Sequence, residues 1–158
     1  MIATPARTFS VGALFLVALS ACSPEESGDY IKVGGGGFVF NYRIAEATAG
    51  VIAEPQRTLP AGGTLEARFD NPAGGPPIVI AKEVTADRKR YSFTTPPLTG
   101  VEGGKAYRVA VRVIDDAGTE LQSVDYELRS EFDQSILPEK ALTVGPGYDI
   151  NPDNPEQE

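Results

Sequence analysis

The chain contains no histidine and no tryptophan, and its one cysteine is Cys22. A lone cysteine excludes an internal disulfide, so the fold has to be held by its hydrophobic core. The lack of histidine excludes Ser-His-Asp and Cys-His nucleophilic sites, and also zinc sites built on histidine. A catalytic site would have to use carboxylates, lysine or tyrosine. The composition therefore predicts a protein that is not an enzyme and needs no cofactor.

Positive charge is also scarce, because 14 Lys and Arg residues face 22 Asp and Glu residues, for a net charge of −8. Nucleic acid repels such a surface, so we expect no nucleic-acid partner. The main basic cluster is Asp87-Arg88-Lys89-Arg90. It has two interpretations: Arg88, Lys89 and Arg90 contact an anionic partner, either lipid headgroups or an acidic segment, or they form a solvated hairpin tip between strands at 78–84 and 91–94.

The first 22 residues have the pattern of a bacterial export signal. Residues 1–8 carry one positive charge, at Arg7, and residues 9–21 are uncharged and mostly apolar. That run is too short to span a bilayer, which needs about 20 helical residues, but it fits the hydrophobic region of a signal peptide. It ends in Leu19-Ser20-Ala21-Cys22, which resembles the lipobox of bacterial lipoproteins. We therefore predict a signal peptide at 1–21 and lipidation of Cys22, rather than a buried free thiol.

The residue after the cysteine is Ser23, not Asp, which is typical of lipoproteins sent to the outer membrane and held on its periplasmic face. Residues 22–37 are acidic and then glycine-rich, which predicts a flexible tether. Residues 145–158 are acidic and proline-rich, which predicts a disordered tail. The domain itself is expected at 38–144. Loss of Arg7 with the signal peptide would change the net charge from −8 to −9.

Within the domain, apolar residues alternate with polar ones at the period of a half-buried strand. The pattern is strongest at 107–113 and clear at 65–69, and a strand beginning at 38–42 is expected to continue through 51–53. Residues 78–81 are apolar on both faces, which predicts a central strand, and 141–144 are expected to close a sheet. About seven short strands separated by turns predict an all-β fold, an immunoglobulin-like two-sheet β-sandwich.

Three further groups of side chains have both a functional and a structural interpretation. The first, an aromatic set, could form an exposed platform for glycan or pack in the core. The second, a basic set, would form a stripe of positive charge if its strands are neighbours. The third, an acidic set, could perform acid–base chemistry or stabilise a turn. The sets are Phe38, Phe40 and Tyr42; Arg68, Arg108 and Arg112; and Asp115, Asp116 and Glu120.

Residues 57–70, RTLPAGGTLEARFD, resemble the opening of the YbaY/YscW-like lipoprotein domain, in which a Leu-Pro-small-Gly turn leads into a strand that ends in Asp. The similarity continues through 78–81, 91–94 and 107–113, and Asp-Ala-Gly at 116–118 falls where the family has an Asp-Gly hairpin. It covers roughly residues 50–130. The glycine-rich segment before it and the acidic tail after it depart from the family pattern.

The resemblance implies a small periplasmic β-sandwich, and some members of that family, the pilotins of type III secretion, escort a secretin subunit to the outer membrane. The first functional hypothesis is therefore a non-enzymatic, membrane-anchored envelope lipoprotein that binds another envelope protein, with a secretin-like protein as its most specific form. The second is a structural or glycan- or lipid-binding envelope lipoprotein. A hydrolase that uses only carboxylates is the third.

Overall fold

The computed structural model describes residues 28–153, and its regular elements are almost entirely β-strands. A short 3₁₀ helix, Gln134–Ile136, separates the long strands from a small terminal hairpin. In chain order the strands are β1 (Ile31–Asn41), β2 (Glu46–Pro55), β3 (Thr64–Phe69), β4 (Ile78–Glu83), β5 (Tyr91–Thr94), β6 (Ala106–Ile114), β7 (Glu120–Arg129), β8 (Thr143–Val144) and β9 (Asp149–Ile150).

The seven longer strands form two antiparallel sheets, one ordered β1-β2-β5 and the other β4-β3-β6-β7. The inner faces of the two sheets pack against each other around one core, as in an immunoglobulin-like sandwich. The predicted all-β, two-sheet architecture is thereby confirmed.

The core consists of the inward-facing residues of both sheets. On β6, Tyr107, Val109, Val111 and Val113 are each at most 4% exposed, while Arg108 between them faces outward. The inner positions of β3 follow the same alternation, and β2 and β5 supply the facing layer. Removing these apolar surfaces from water is the main favourable contribution to folding. The period-two pattern of β3 and β6 therefore identified their buried faces correctly.

The first strand begins earlier than the sequence predicts. Residues 31–37, assigned to the tether, lie in β1 and pair with β2 from Ile31↔Pro55 to Gly37↔Gly50. A turn at 42–45 then separates β1 from β2, where one interrupted strand was expected. Asn41 stabilises this turn because its Oδ1 accepts the N–H of Arg43 at 3.1 Å.

The glycines of β1 belong to the sandwich because the space beside the strand is too narrow for side chains. A Cβ at Gly36 would lie 2.6 Å from the carbonyl oxygen of Gly50 and 2.9 Å from Cδ2 of Leu128. At Gly35 a bulge shifts the register, and its φ of +150° is one that L-residues rarely adopt. A glycine run that is typical of a linker is therefore a close-approach strand here.

Strand β4 is an edge strand, so the prediction that residues 78–81 are central is wrong. Its neighbour on one side is β3, and within residues 28–153 no strand pairs with its other side. Ile78 and Ile80 pack against the core, while Val79 on the opposite face is 47% exposed. Both faces of this segment are therefore apolar, but only one of them is buried and the other is open to solvent.

The C-terminal segment also differs from its prediction. Residues 141–144 do not close either main sheet; instead β8 pairs with β9, so that 149–150 lie in a hairpin rather than a disordered tail. The hairpin is held by the buried side chain of Asn151, whose Nδ2 donates to the carbonyl of Ala141 at 2.7 Å. It is joined to the β1–β2 turn through the N–H of Thr143, which donates to the carbonyl of Arg43.

Candidate functional site

The open edge of β4 presents backbone hydrogen-bonding groups in a regular pattern. The N–H of Val84 donates to the carbonyl of Gly63 on the β3 side at 2.9 Å, and the β3–β4 register runs without a shift. In an antiparallel pair the N–H and C=O of one residue point to the same side, and successive residues alternate. The groups of Ile78, Ile80 and Lys82 therefore face β3, and those of Val79, Ala81 and Glu83 point away from it.

The opposite side of β3 agrees with this assignment. There the N–H of Asp70 donates to the carbonyl of Arg108 at 2.9 Å, which places Asp70, Arg68 and Glu66 in hydrogen-bonded pairs with β6. Leu65, Ala67 and Phe69, the residues between them, consequently face β4. The edge groups of Val79, Ala81 and Glu83 are thus the three positions at which a further strand would form its ladder.

The other sheet edges are less suited to accept a strand. Strand β5 has only four residues, and β1 is interrupted by its bulge. Strand β7 is tied to the start of β1 by Gln122, whose Oε1 accepts the N–H groups of Tyr30 and Ile31 at 2.7 and 2.9 Å. Short, bulged and covered edges are the means by which sheets avoid pairing with other chains. Strand β4 has six residues and no bulge, and no strand between residues 28 and 153 pairs with its free side.

A cationic groove of about 530 Å³ begins where β4 ends. It is lined by Pro55 at the end of β2 and by two loops, which lie within residues 56–62 between β2 and β3 and residues 84–89 between β4 and β5. The guanidinium of Arg57 lies over the ring of Tyr30, 3.7 Å from its centroid, and its Nη1 donates to the carbonyl of Gly28 at 3.2 Å. Stacking on an aromatic ring fixes the direction of the charge.

The basic cluster predicted from the sequence is divided by the structure. Arg88 and Lys89 line the groove, with the Arg88 guanidinium 5.2 Å from the centre of the Tyr91 ring. Arg90 forms an ion pair with Glu54 at 3.1 Å. The cluster is not the tip of a hairpin, because its loop crosses from β4 in one sheet to β5 in the other.

The crossing loop is held by the buried side chain of Tyr91. Its hydroxyl accepts the N–H of Thr85 at 2.9 Å and lies 3.2 Å from the carbonyl oxygen of the same residue, to which it donates. This holds the start of the loop next to its end. Arg57, the third cation of the groove, was not identified from the sequence, because it lies about thirty residues from Arg88 and only the fold brings the two loops together.

The predicted basic stripe lies on neighbouring strands but is largely neutralised by carboxylates. Arg108 pairs with Asp125 at 2.8 Å, and Arg112 pairs with Glu66 and, at 2.9 Å, with Glu120. Hydrogen bonding to Glu66, and then to Glu120, raises the pKa of Arg112 above its ordinary value. These residues form a cross-strand charge network on the outer face of the four-stranded sheet.

Most of the aromatic and acidic candidates have structural roles, whereas Tyr42 is 45% exposed. Phe38 packs against the core, with its ring centre 5.4 Å from that of Tyr107, so it is not part of an exposed platform. Asp115 stabilises the β6–β7 turn, because its Oδ1 accepts the N–H groups of Ala117 and Thr119 at 3.0 and 2.7 Å. Within residues 28–153 no three metal-ligating side chains are grouped, and no helix is long and apolar enough to cross a membrane.

Cys22, the predicted lipidation site, lies outside the described residues, as do the predicted signal peptide and the last five residues of the chain. The tether that remains between Cys22 and the first described residue, Gly28, is short. Since β1 begins at Ile31, the folded domain starts nine residues after the predicted anchor.

No protein-family model matches this chain, and no curated protein matches it. Among solved structures, it is similar to a β-glucuronidase from Bacteroides uniformis, with a TM-score of 0.42 and 16% identity over 64% of this chain. A second similar structure is an endonuclease/exonuclease/phosphatase from Beutenbergia cavernae, with a TM-score of 0.34 and 18% identity over 54% of this chain. The matches span only 13% and 21% of those proteins.

Proposed function

We propose that this protein is a non-enzymatic lipoprotein of the bacterial envelope, anchored through acylated Cys22, that binds another envelope protein by adding an extended segment of the partner to β4. The single observation that supports the binding mode is the edge of β4 that no strand within residues 28–153 pairs with, where the backbone groups of Val79, Ala81 and Glu83 are directed away from the sheet. Strand addition uses such groups for affinity and the alternating side chains for specificity.

The side chains next to this edge define the kind of segment it accepts. Val79 presents an exposed apolar surface on one face, and partly buried Ile78 and Ile80 lie on the other. A strand that pairs here would therefore carry apolar residues on both faces. The resemblance to lipoproteins that escort a secretin favours an outer-membrane assembly partner on the periplasmic side.

Replacement of Ala81 by proline tests the binding mode. The N–H of Ala81 points away from β3, so Ala81→Pro removes a donor from the open edge and leaves the β3–β4 ladder in place. We expect capture of the partner from envelope extracts to fall at least about tenfold, while the midpoint of urea unfolding changes little. Ala81→Ser, which keeps the N–H, is the matched control. Equal capture by both variants would exclude strand addition at β4.

The anchor has a separate test, the intact mass of the protein extracted from membranes. We expect a chain that begins at Cys22 and carries the mass of its acyl chains, because the thiol is the acylation nucleophile of the lipobox. Cys22→Ser should release the protein from the membrane fraction. An unmodified thiol, or a chain that retains Met1, would contradict the anchor without affecting the role of β4.

A further inference from the structure

The cationic groove lies at the end of the sandwich nearest the proposed anchor. Gly28, whose carbonyl is bonded to Arg57 in the groove, is only six residues after Cys22. Even a fully extended chain covers at most about 3.6 Å per residue, so six residues reach about 20 Å. An acyl chain on Cys22 would therefore hold the groove within about 20 Å of the membrane surface.

Two cations of the groove, Arg88 and Lys89, differ from many others in the described part of the chain. Lys105, Arg112 and Arg129 each form ion pairs with carboxylates. Arg88 and Lys89, which both line the groove, form no ion pair with any residue between 28 and 153. On a chain with a net charge of −8, this places available positive charge at the end closest to the bilayer.

The shape and the rigidity of the groove also suit a small anion. Its volume of about 530 Å³ falls within the range typical of small-molecule sites. Arg57 is held on Tyr30 and Arg88 lies against Tyr91, so less side-chain entropy is lost on binding than for freely rotating cations. The apolar side chains of Leu59 and Val84 line the same groove.

We propose that the groove formed by Arg57, Arg88 and Lys89 binds the phosphate headgroup of an anionic phospholipid in the membrane that carries the anchor. The proposal rests on the anchoring of Cys22 proposed above, because the anchor is what brings the groove to the bilayer. The ligand is recognised by charge and hydrogen bonding, and no covalent step is involved. Binding would fix the orientation of the sandwich relative to the membrane.

The test uses the chain from residue 22 with Cys22→Ser, which keeps every strand of both sheets but has no acyl chain. Its partitioning is measured onto vesicles of phosphatidylcholine with and without phosphatidylglycerol. We expect binding only to the anionic vesicles, weakened by salt. Since each basic residue near such a surface contributes about 1 kcal/mol, Arg88→Gln with Lys89→Gln should weaken it by roughly 10- to 30-fold.

The matched control is the pair Arg68→Gln and Arg108→Gln, which removes the same charge from the outer face of the four-stranded sheet. We expect it to bind nearly as well as the parent chain. Equal losses in both pairs would show attraction by net charge alone and overturn the proposal. Failure of the protein to bind anionic vesicles at low salt would also overturn the proposal. So would binding of free inorganic phosphate to the protein as tightly as the protein binds the vesicles.

A second variant gives a gain of binding, which a folding defect cannot imitate. Glu25 and Glu26 precede Gly28 by three and two residues in the sequence and add two negative charges next to the first described residue. Glu25→Gln with Glu26→Gln should therefore strengthen vesicle binding several-fold. Unchanged or weaker binding would contradict the proposal.

Two results would separate this proposal from those on which it rests. An unmodified Cys22 in the intact mass would remove the anchor but leave the vesicle measurements valid. If Arg88→Gln with Lys89→Gln abolished capture of a protein partner and left vesicle binding intact, the groove would belong to an acidic partner segment, and the lipid proposal would be wrong.

Discussion

Gly36 lies where β1 comes too close to its neighbours to carry a side chain. The nearest atoms to a Cβ there are the Gly50 carbonyl oxygen, Cγ1 of Val51 and Cδ2 of Leu128, all under 3.0 Å away. The first is backbone and cannot move without shifting β2. Gly37, the next residue, has open space at the same position. Two adjacent glycines of one run therefore have different physical roles.

This contrast gives a test at the scale of one methyl group. We expect Gly36→Ala to lower the free energy of unfolding by about 2 kcal/mol, because the added atom overpacks the contact between the two sheets. Gly37→Ala is the control and should be neutral or slightly stabilising, since alanine restricts the unfolded chain. Urea unfolding measures both. Equal effects would show that the contact at Gly36 is not as close as described.

The residue scale also shows what the sequence can and cannot reveal about a glycine run. Glycine is depleted in strands, so four in succession predict a linker when only the chain itself is considered. What makes them a strand is the partner, β2, and the Leu128 side chain of the other sheet. Neither neighbour is adjacent in sequence. Arg57 was missed for the same reason, since its place beside Arg88 depends on the fold.

At the scale of elements, Gln122 joins the two sheets on the side of the sandwich opposite β4. Its Oε1 accepts two backbone N–H groups, from Tyr30 and Ile31, and its Nε2 donates to the carbonyl of Ile31 at 3.0 Å. The side chain of Gln122 on β7 therefore supplies the hydrogen bonds that a neighbouring strand would otherwise give to the first residues of β1. It also fixes the point from which the N-terminal segment leaves the domain.

Loss of this side chain should loosen the start of β1. We expect Gln122→Ala to cost about 2 kcal/mol of unfolding free energy, because it leaves partly buried N–H groups without their acceptor. Amide hydrogen exchange at Tyr30 and Ile31 should accelerate more than at the centre of β6. Ser123→Ala, at the exposed neighbouring position, is the control. Unchanged exchange at Tyr30 and Ile31 would contradict a fastening role for Gln122.

The sequence predicted the strands better than it predicted their places in the sheets. Alternation identified the buried faces of β3 and β6, because a strand with one buried face carries that pattern itself. It misplaced β4, because a strand with two apolar faces can be central or can be an edge that is used for binding. The distinction depends on whether another strand pairs with it, and that lies outside the local sequence.

For the whole molecule, the structure changes the expected distance between domain and membrane. With a tether reaching to residue 37, the sandwich would have been free to move well away from an anchor at Cys22. The start of β1 at Ile31 and the contact of Gly28 with Arg57 shorten that tether considerably. The proposed anchor would therefore hold the domain close to the bilayer, with the cationic groove towards the lipid and the β4 edge available to a partner.

The most direct test of the central claim is photo-crosslinking in living cells from a reactive side chain placed at Val79. Ile52, which is also exposed but lies on the outer face of the other sheet, is the control position. We expect one envelope protein to be linked from Val79 and not from Ile52, and the adduct to disappear with Cys22→Ser. No adduct at Val79, or the same adducts from both positions, would contradict binding at the open edge of β4.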